Sequence, residues 1–135
     1  DDAQGIAIYG SVNNAYLGGE INITLDNRSF ITTNMVTDTS QLSTSTPETG
    51  ILIDGFSGTL NIELKGGSYI SSETGYGITL RNCTGTTVNI NYDGTSYIYG
   101  QKGAVSATNC PNLKINNNPT SGTTDPTLGT KSSGN

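Results

Sequence analysis

The chain has 135 residues, 13% of them charged and 32% hydrophobic, with a formal net charge of −5. It contains no histidine and no tryptophan, which excludes a histidine-based catalytic triad and any histidine-ligated metal site. Six basic residues against eleven acidic ones argue against nucleic acid as a partner, and no apolar run is long enough to insert into a bilayer.

Thr, Ser, Asn and Gly make up half of the sequence, and the 13 isoleucines, 21 threonines and seven tyrosines are strand formers rather than the marks of a disordered chain. In chain order, residues 5–10 read GIAIYG and residues 21–31 read INITLDNRSFI, separated by the insertion SVNNAYLGGE at 11–20. The stretch from Thr32 to Thr49 is rich in Thr and Ser and reads as a long loop. Two units of 27 residues follow, Gly50–Tyr76 and Gly77–Gly103, which align with one single-residue slip near Thr86–Thr87. Ala104 onward continues the register as AVSATNCPNLKINNN, and residues 119–135 form a polar tail. The division is therefore a repeat domain over 1–118, with its long loop at 32–49, and a tail over 119–135 that docks on that domain or on a neighbouring subunit.

Within each unit, apolar residues alternate with period two, as in strands. Ile6/Ile8, Ile51/Ile53, Ile78/Leu80 and Val105/Ala107 share one face of a first segment. Ile21/Ile23/Leu25, Leu60/Ile62/Leu64, Val88/Ile90/Tyr92 and Leu113/Ile115 do so in a second, and Ile31, Ile70 and Ile98 mark a third. The predicted fold class is all-β: a single-stranded parallel β-helix, or solenoid, of about four coils of about 27 residues with three short strands per coil. Equivalent residues then stack at about 4.8 Å, and a core one residue wide needs few hydrophobics.

The coil length, the three strands and the stacked Ile, Asn and Cys positions resemble the right-handed parallel β-helix superfamily, the pectate-lyase-like fold, over residues 5–118. The closest likeness in character is to bacterial surface and adhesin β-solenoids. The superfamily also holds polysaccharide lyases and hydrolases, but its enzymes have many more coils than four. The resemblance is one of architecture and carries over no catalytic residue.

Several positions are candidates for chemistry or contact. Cys83 and Cys110 occupy one unit position 27 residues apart, close enough for a disulfide between coils or for two stacked reduced thiols. Asn82 and Asn109 precede them and are read as a structural ladder of amides bonding from coil to coil. Asp54 and Arg81 are neighbours on the outer face of the first segment, as a surface ion pair or as a site for an acidic sugar. Phe30, Tyr69 and Tyr97 share one position of the third segment. With Ile31, Ile70 and Ile98 turned inward, these rings form an outward column suited to a subunit contact or to sugar rings; the alternative is that the rings face inward and the isoleucines outward. Among the carboxylates Asp26, Glu63 and Asp93, Lys65 falls between Asp26 and Asp93 and spoils the acidic pair a glycosidase uses. A calcium site needs a denser acidic group. No catalytic residue, metal or cofactor is expected, and the chain is not read as an enzyme. Asn22, Asn27 and Asn82 stand in glycosylation triplets, which matter only in a glycosylating secretory route.

Four coils leave two ends with open core and unpaired strand edges, and no capping helix is visible. Either the loop and the tail cover the ends, or the ends meet other copies. The expected function is an extracellular or cell-surface structural subunit that joins other copies of itself end to end in a filament or surface layer. The alternative is a carbohydrate-binding or adhesin module with polysaccharide as partner. A polysaccharide lyase or hydrolase comes third, with no residues to carry it.

Overall fold

The computed structural model describes residues 4–12, 15–16, 18–33, 48–120, 122 and 124–131. The described residues are all-β. The strands are β1 (Gln4–Tyr9), β2 (Ser11–Val12), β3 (Ala15–Tyr16), β4 (Glu20–Leu25), β5 (Phe30–Thr33), β6 (Thr49–Asp54), β7 (Gly58–Leu64) and β8 (Tyr69–Ser72). They continue with β9 (Tyr76–Arg81), β10 (Thr86–Tyr92), β11 (Tyr97–Gly100), β12 (Gly103–Thr108), β13 (Asn112–Ile115), β14 (Asn118–Thr120) and β15 (Thr127–Gly129).

The chain visits three sheets in rotation. The first sheet has the order β1-β6-β9-β12, the second runs β14-β13-β10-β7-β4, and the third runs β15-β11-β8-β5. Every pairing among β1, β4 to β13 is parallel. One tour of the sheets makes a circuit: β1, β4 and β5, then β6 to β8, then β9 to β11, then β12 and β13. The insertion at 11–20 contributes a small antiparallel pair, β2 with β3. The long loop at 32–49 lies largely outside the described residues.

The register follows the repeat. Ile6, Ile51, Ile78 and Val105 stand in one column, and Ile23, Ile62, Ile90 and Ile115 in another. One core cluster joins inward residues of all three sheets, from Ile51 and Ile53 through Leu60 and Ile62 to Ile70 and Ile98. Glycine recurs beside it for a steric reason. A Cβ on Gly50 would sit 2.6 Å from Ile70 Cγ2, and one on Gly77 would sit 2.8 Å from Ile98 Cγ2. Ala104 holds the same place in the fourth circuit, where no third-sheet isoleucine follows to fill the space.

The corners explain the asparagines. Gly55, Asn82 and Asn109 have φ of 76°, 56° and 54° at equivalent points between the first and second sheets. Asparagine is the side chain that best tolerates this left-handed backbone after glycine. The amide ladder expected at Asn82 and Asn109 is found elsewhere, on the outer face of the second sheet. Asn61 Nδ2 donates to Asn22 Oδ1 at 2.9 Å, and Asn89 Nδ2 donates to Asn61 Oδ1 at 2.9 Å.

The tail is part of the sheets. Asn116 and Asn117 have φ of 49° and 66°, the two left-handed residues of a tight hairpin turn. The chain reverses there and runs back over the last strands. β14 pairs antiparallel with β13, and β15 pairs antiparallel with β11, with Leu128 opposite Ile98. Between them, Ala104 N donates to Asp125 O at 2.6 Å and Gly100 N to Pro126 O at 3.0 Å. The tail thus adds an end strand to the second and third sheets and touches the first through the Ala104 bond, with β12 still at the end of its sheet, and Leu128 packs on the core beneath it. Pro119 and Pro126 have no N–H, which blunts the new edge against further pairing.

Candidate functional site

The aromatic column is built on the third sheet, where β5, β8 and β11 hold Phe30, Tyr69 and Tyr97 in register. The rings are stacked, Phe30 on Tyr69 at 5.2 Å and 8° and Tyr69 on Tyr97 at 4.9 Å and 3°. Isoleucines 31, 70 and 98 alternate with them and point into the core, so the rings lie on the outer side. Stacking covers both faces of Tyr69. The tail closes the far end: Tyr97 is 2% exposed, its neighbour in register is Gly129, and Lys131 Nζ lies 3.9 Å from the Tyr99 ring centre. Burial pushes the Tyr97 hydroxyl up to about 12. Phe30 is 58% exposed. A column of this kind presents ring edges sideways and one open ring face, on Phe30. Sugar rings dock on faces, so the arrangement suits continuation by another layer better than a broad sugar platform.

Asp54 and Arg81 come together on the first sheet. Arg81 Nε donates to Asp54 Oδ2 at 2.8 Å, and Asn82 Nδ2 donates to Asp54 Oδ1 at 2.8 Å. Both charged side chains are mostly covered, and Tyr9 stands next in register beyond Asp54. The carboxylate is thus filled by its neighbours. A shallow pocket of about 110 Å³ opens alongside, lined by Phe56, Ser57, Asn82, Thr84 and Gly85. It is well below the roughly 300 Å³ of an ordinary small-molecule site.

Cys83 and Cys110 lie buried at adjacent levels beneath this pocket, tied by the bond from Cys83 N to Asn109 O at 2.9 Å. Both are free thiols in this structure. Cys83 Sγ donates to Arg81 O at 3.3 Å, and the neighbouring thiols shift each other in opposite directions, Cys83 downward through its contact with Cys110 and Cys110 upward through the same contact and burial.

The acidic positions serve turns. Asp93 accepts Gly66 N–H at 3.0 Å and the Thr95 hydroxyl at 2.7 Å, which holds its carboxyl below the usual carboxylate range. Lys65 sits 3.9 Å from Asp26 and 3.7 Å from Glu63. Glu48 is buried with neither carboxylate oxygen hydrogen-bonded, as is the Thr33 hydroxyl, but one carboxylate is too few for a calcium site.

The first circuit is the feature that the repeat pattern hid. Phe30 and Tyr9 are the large hydrophobics exposed among the described residues, at 58% and 53%, and both belong to it. Ile6, Ile8, Ile21, Ile23 and Ile31 are only partly buried there. β1, β4 and β5 each stand at the end of their sheet. The signal in the sequence was present: the first unit keeps five isoleucines, while the fourth has shrunk to Val105, Ala107 and Ala104 in its first strand. No protein-family model, no curated protein and no solved structure matches the chain, so its reading rests on its own residues.

Proposed function

We propose that the chain is a three-sided parallel β-solenoid of the pectate-lyase-like, right-handed kind, and that it serves outside the cell or at the cell surface as a non-catalytic structural subunit that joins other copies of itself. The carrying observation is the contrast between the ends. In the last circuit the reversed tail covers β13 and β11 and leaves β12 at the end of its sheet, whereas among the described residues the first circuit has β1, β4 and β5 all at sheet ends, half-buried isoleucines and the exposed Phe30 and Tyr9. Open strand edges over an apolar core are templates for pairing. A head-to-tail filament would need the edges of β11 and β13 free as well, and the tail occupies both. Contact between first circuits is therefore the better supported form of assembly. A carbohydrate-binding role draws less support, because the aromatic column hides all of its ring faces but one.

Sedimentation equilibrium across a wide concentration range tests this reading. A reversible association is expected. A chain that stays monomeric at every concentration overturns it.

A further inference from the structure

We infer that two copies meet first circuit to first circuit about a two-fold axis, in a closed dimer, with β1 antiparallel to β1 of the second copy and β4 antiparallel to β5 of the second copy. The inference rests on the assembling role proposed above and adds the partner surface and its symmetry.

Three observations define the geometry. The first is the difference between the ends. The chain's own reversed strands take the edges of β13 and β11 and leave only β12 at a sheet end there, whereas among the described residues the first circuit has all three of its strands at sheet ends. The surface that matches it best is therefore a second first circuit, and an end that pairs with itself does so about a two-fold axis.

The second is register. A two-fold axis through a three-sided end passes through the middle of one side and through the opposite corner. The corner at residues 26–29 is a four-residue turn between β4 and β5, whereas the sequence carries longer segments, 10–19 and 34–48, between β1 and β4 and between β5 and β6. An axis through that corner crosses β1 at its centre, Ala7. Side chains alternate in and out along a strand, so an antiparallel pair must match inward with inward. Centring β1 on Ala7 does so, and sets Ile6 opposite Ile8 of the second copy. Centring the corner on Asn27 does so too. Ile23 then faces Ile31 of the second copy, and Thr24 faces Phe30, whose open ring face gains a cover.

The third is charge. About Asn27, Asp26 of each copy falls opposite Arg28 of the other. Arg28 is exposed and takes φ of 63° where Gly67, with φ of 77°, stands in the next circuit. An arginine therefore occupies a glycine's conformation at this corner, two residues from an acid. Two reciprocal ion pairs complement the apolar edge that they flank, and like charges do not meet across the axis.

The test uses the full chain and the Ala7→Cys variant. Across an antiparallel pair, the two residue-7 Cα atoms stand about 4.5–5.5 Å apart, within the disulfide range of about 4.4–6.8 Å. Cys83 and Cys110 are buried and do not compete. Mild oxidation is expected to link two Ala7→Cys chains into a covalent dimer through residue 7, and sedimentation of the unaltered chain is expected to stop at the dimer. Arg28→Glu is expected to weaken association at least tenfold with an unchanged circular-dichroism melting profile, and added salt to weaken the unaltered chain. Association without the residue-7 link, or growth beyond the dimer, overturns the two-fold arrangement and leaves the assembling role standing. A monomer at all concentrations overturns both. An Arg28→Glu chain that associates as well as the original also overturns the arrangement.

Discussion

Ile8, Ile53, Leu80 and Ala107 occupy one column, yet their surroundings differ sharply. The middle two are fully buried, Ile8 is partly exposed at one end, and at the other end the side chain has shrunk to alanine, also partly exposed. The neighbouring column repeats the trend, from Ile6 through Ile51 and Ile78 to Val105. Terminal units of a repeat array usually depart from the consensus because they lack one neighbour. Here the core of only the last unit departs. It has lost bulk on β12, beside the two strands that the tail covers, and the first unit, despite its insertions, keeps the full isoleucine set of an interior unit. The two ends have been treated differently by the sequence, and the first is built as though a further layer lay upon it.

The largest effect expected from breaking this contrast comes from deleting residues 118–135. Without β14 and β15, the edges of β13 and β11 and the core beside Ile98 are bare, and both ends become open. Sedimentation velocity and electron microscopy should then show elongated or aggregated particles in place of small ones. Unchanged particle size would mean that the tail does not terminate the stack. Next in size is a pair of substitutions in one column. Ile53→Ala should cost about 3–4 kcal/mol in urea unfolding, as expected for a fully buried isoleucine. Ile8→Ala, measured at concentrations low enough to avoid association, should cost about 1 kcal/mol. Equal losses would erase the distinction between interior and open circuits.

A third test reads the cover over the last circuit. The Tyr97 hydroxyl is raised to about 12 from an unfolded value near 10. Its contribution is complete below pH 10 and is lost as pH rises from 10 to 12, because the unfolded chain ionises first. Tyr97→Phe removes that loss and should move the alkaline unfolding midpoint upward. No shift would mean that the tail leaves the hydroxyl in water. The smallest expected effect is at the reversal itself. Asn117→Gly suits a left-handed turn position and should raise stability by about 0.5 kcal/mol in thermal unfolding.

Much of the architecture was legible because equivalent residues stack on themselves. The Ile columns, the Phe30–Tyr69–Tyr97 column and the Asp54–Arg81 neighbours all follow from one period, and a shift of a single residue would turn each of them to the wrong face. The corner asparagines were harder. Asn82 and Asn109 signal a left-handed backbone, whereas Asn22, Asn61 and Asn89 signal a ladder of amides, and composition alone does not separate the two. The tail was legible only as a polar surplus. It contributes a single core residue, Leu128, and its direction is set by two consecutive residues, Asn116 and Asn117, in a sequence full of asparagine. The exposure of the first circuit is a property of position in the stack. Ile8 and Ile53 are the same residue in the same pattern, and only the presence or absence of a neighbouring layer distinguishes them.

Gly50 under Ile70 and Gly77 under Ile98, with Gly5 in the same place under Ile31, repeat one steric fit from circuit to circuit. Duplicating Gly77–Gly103 in place would set Ile78, Leu80, Val88, Ile90 and Ile98 on copies of themselves, while Gly103, now paired with Tyr76, would meet a second Gly103. Each added copy would separate the two ends by about 4.8 Å. The interior is in effect a ruler with interchangeable graduations, and the number of graduations sets the reach of the molecule without altering what either end recognises.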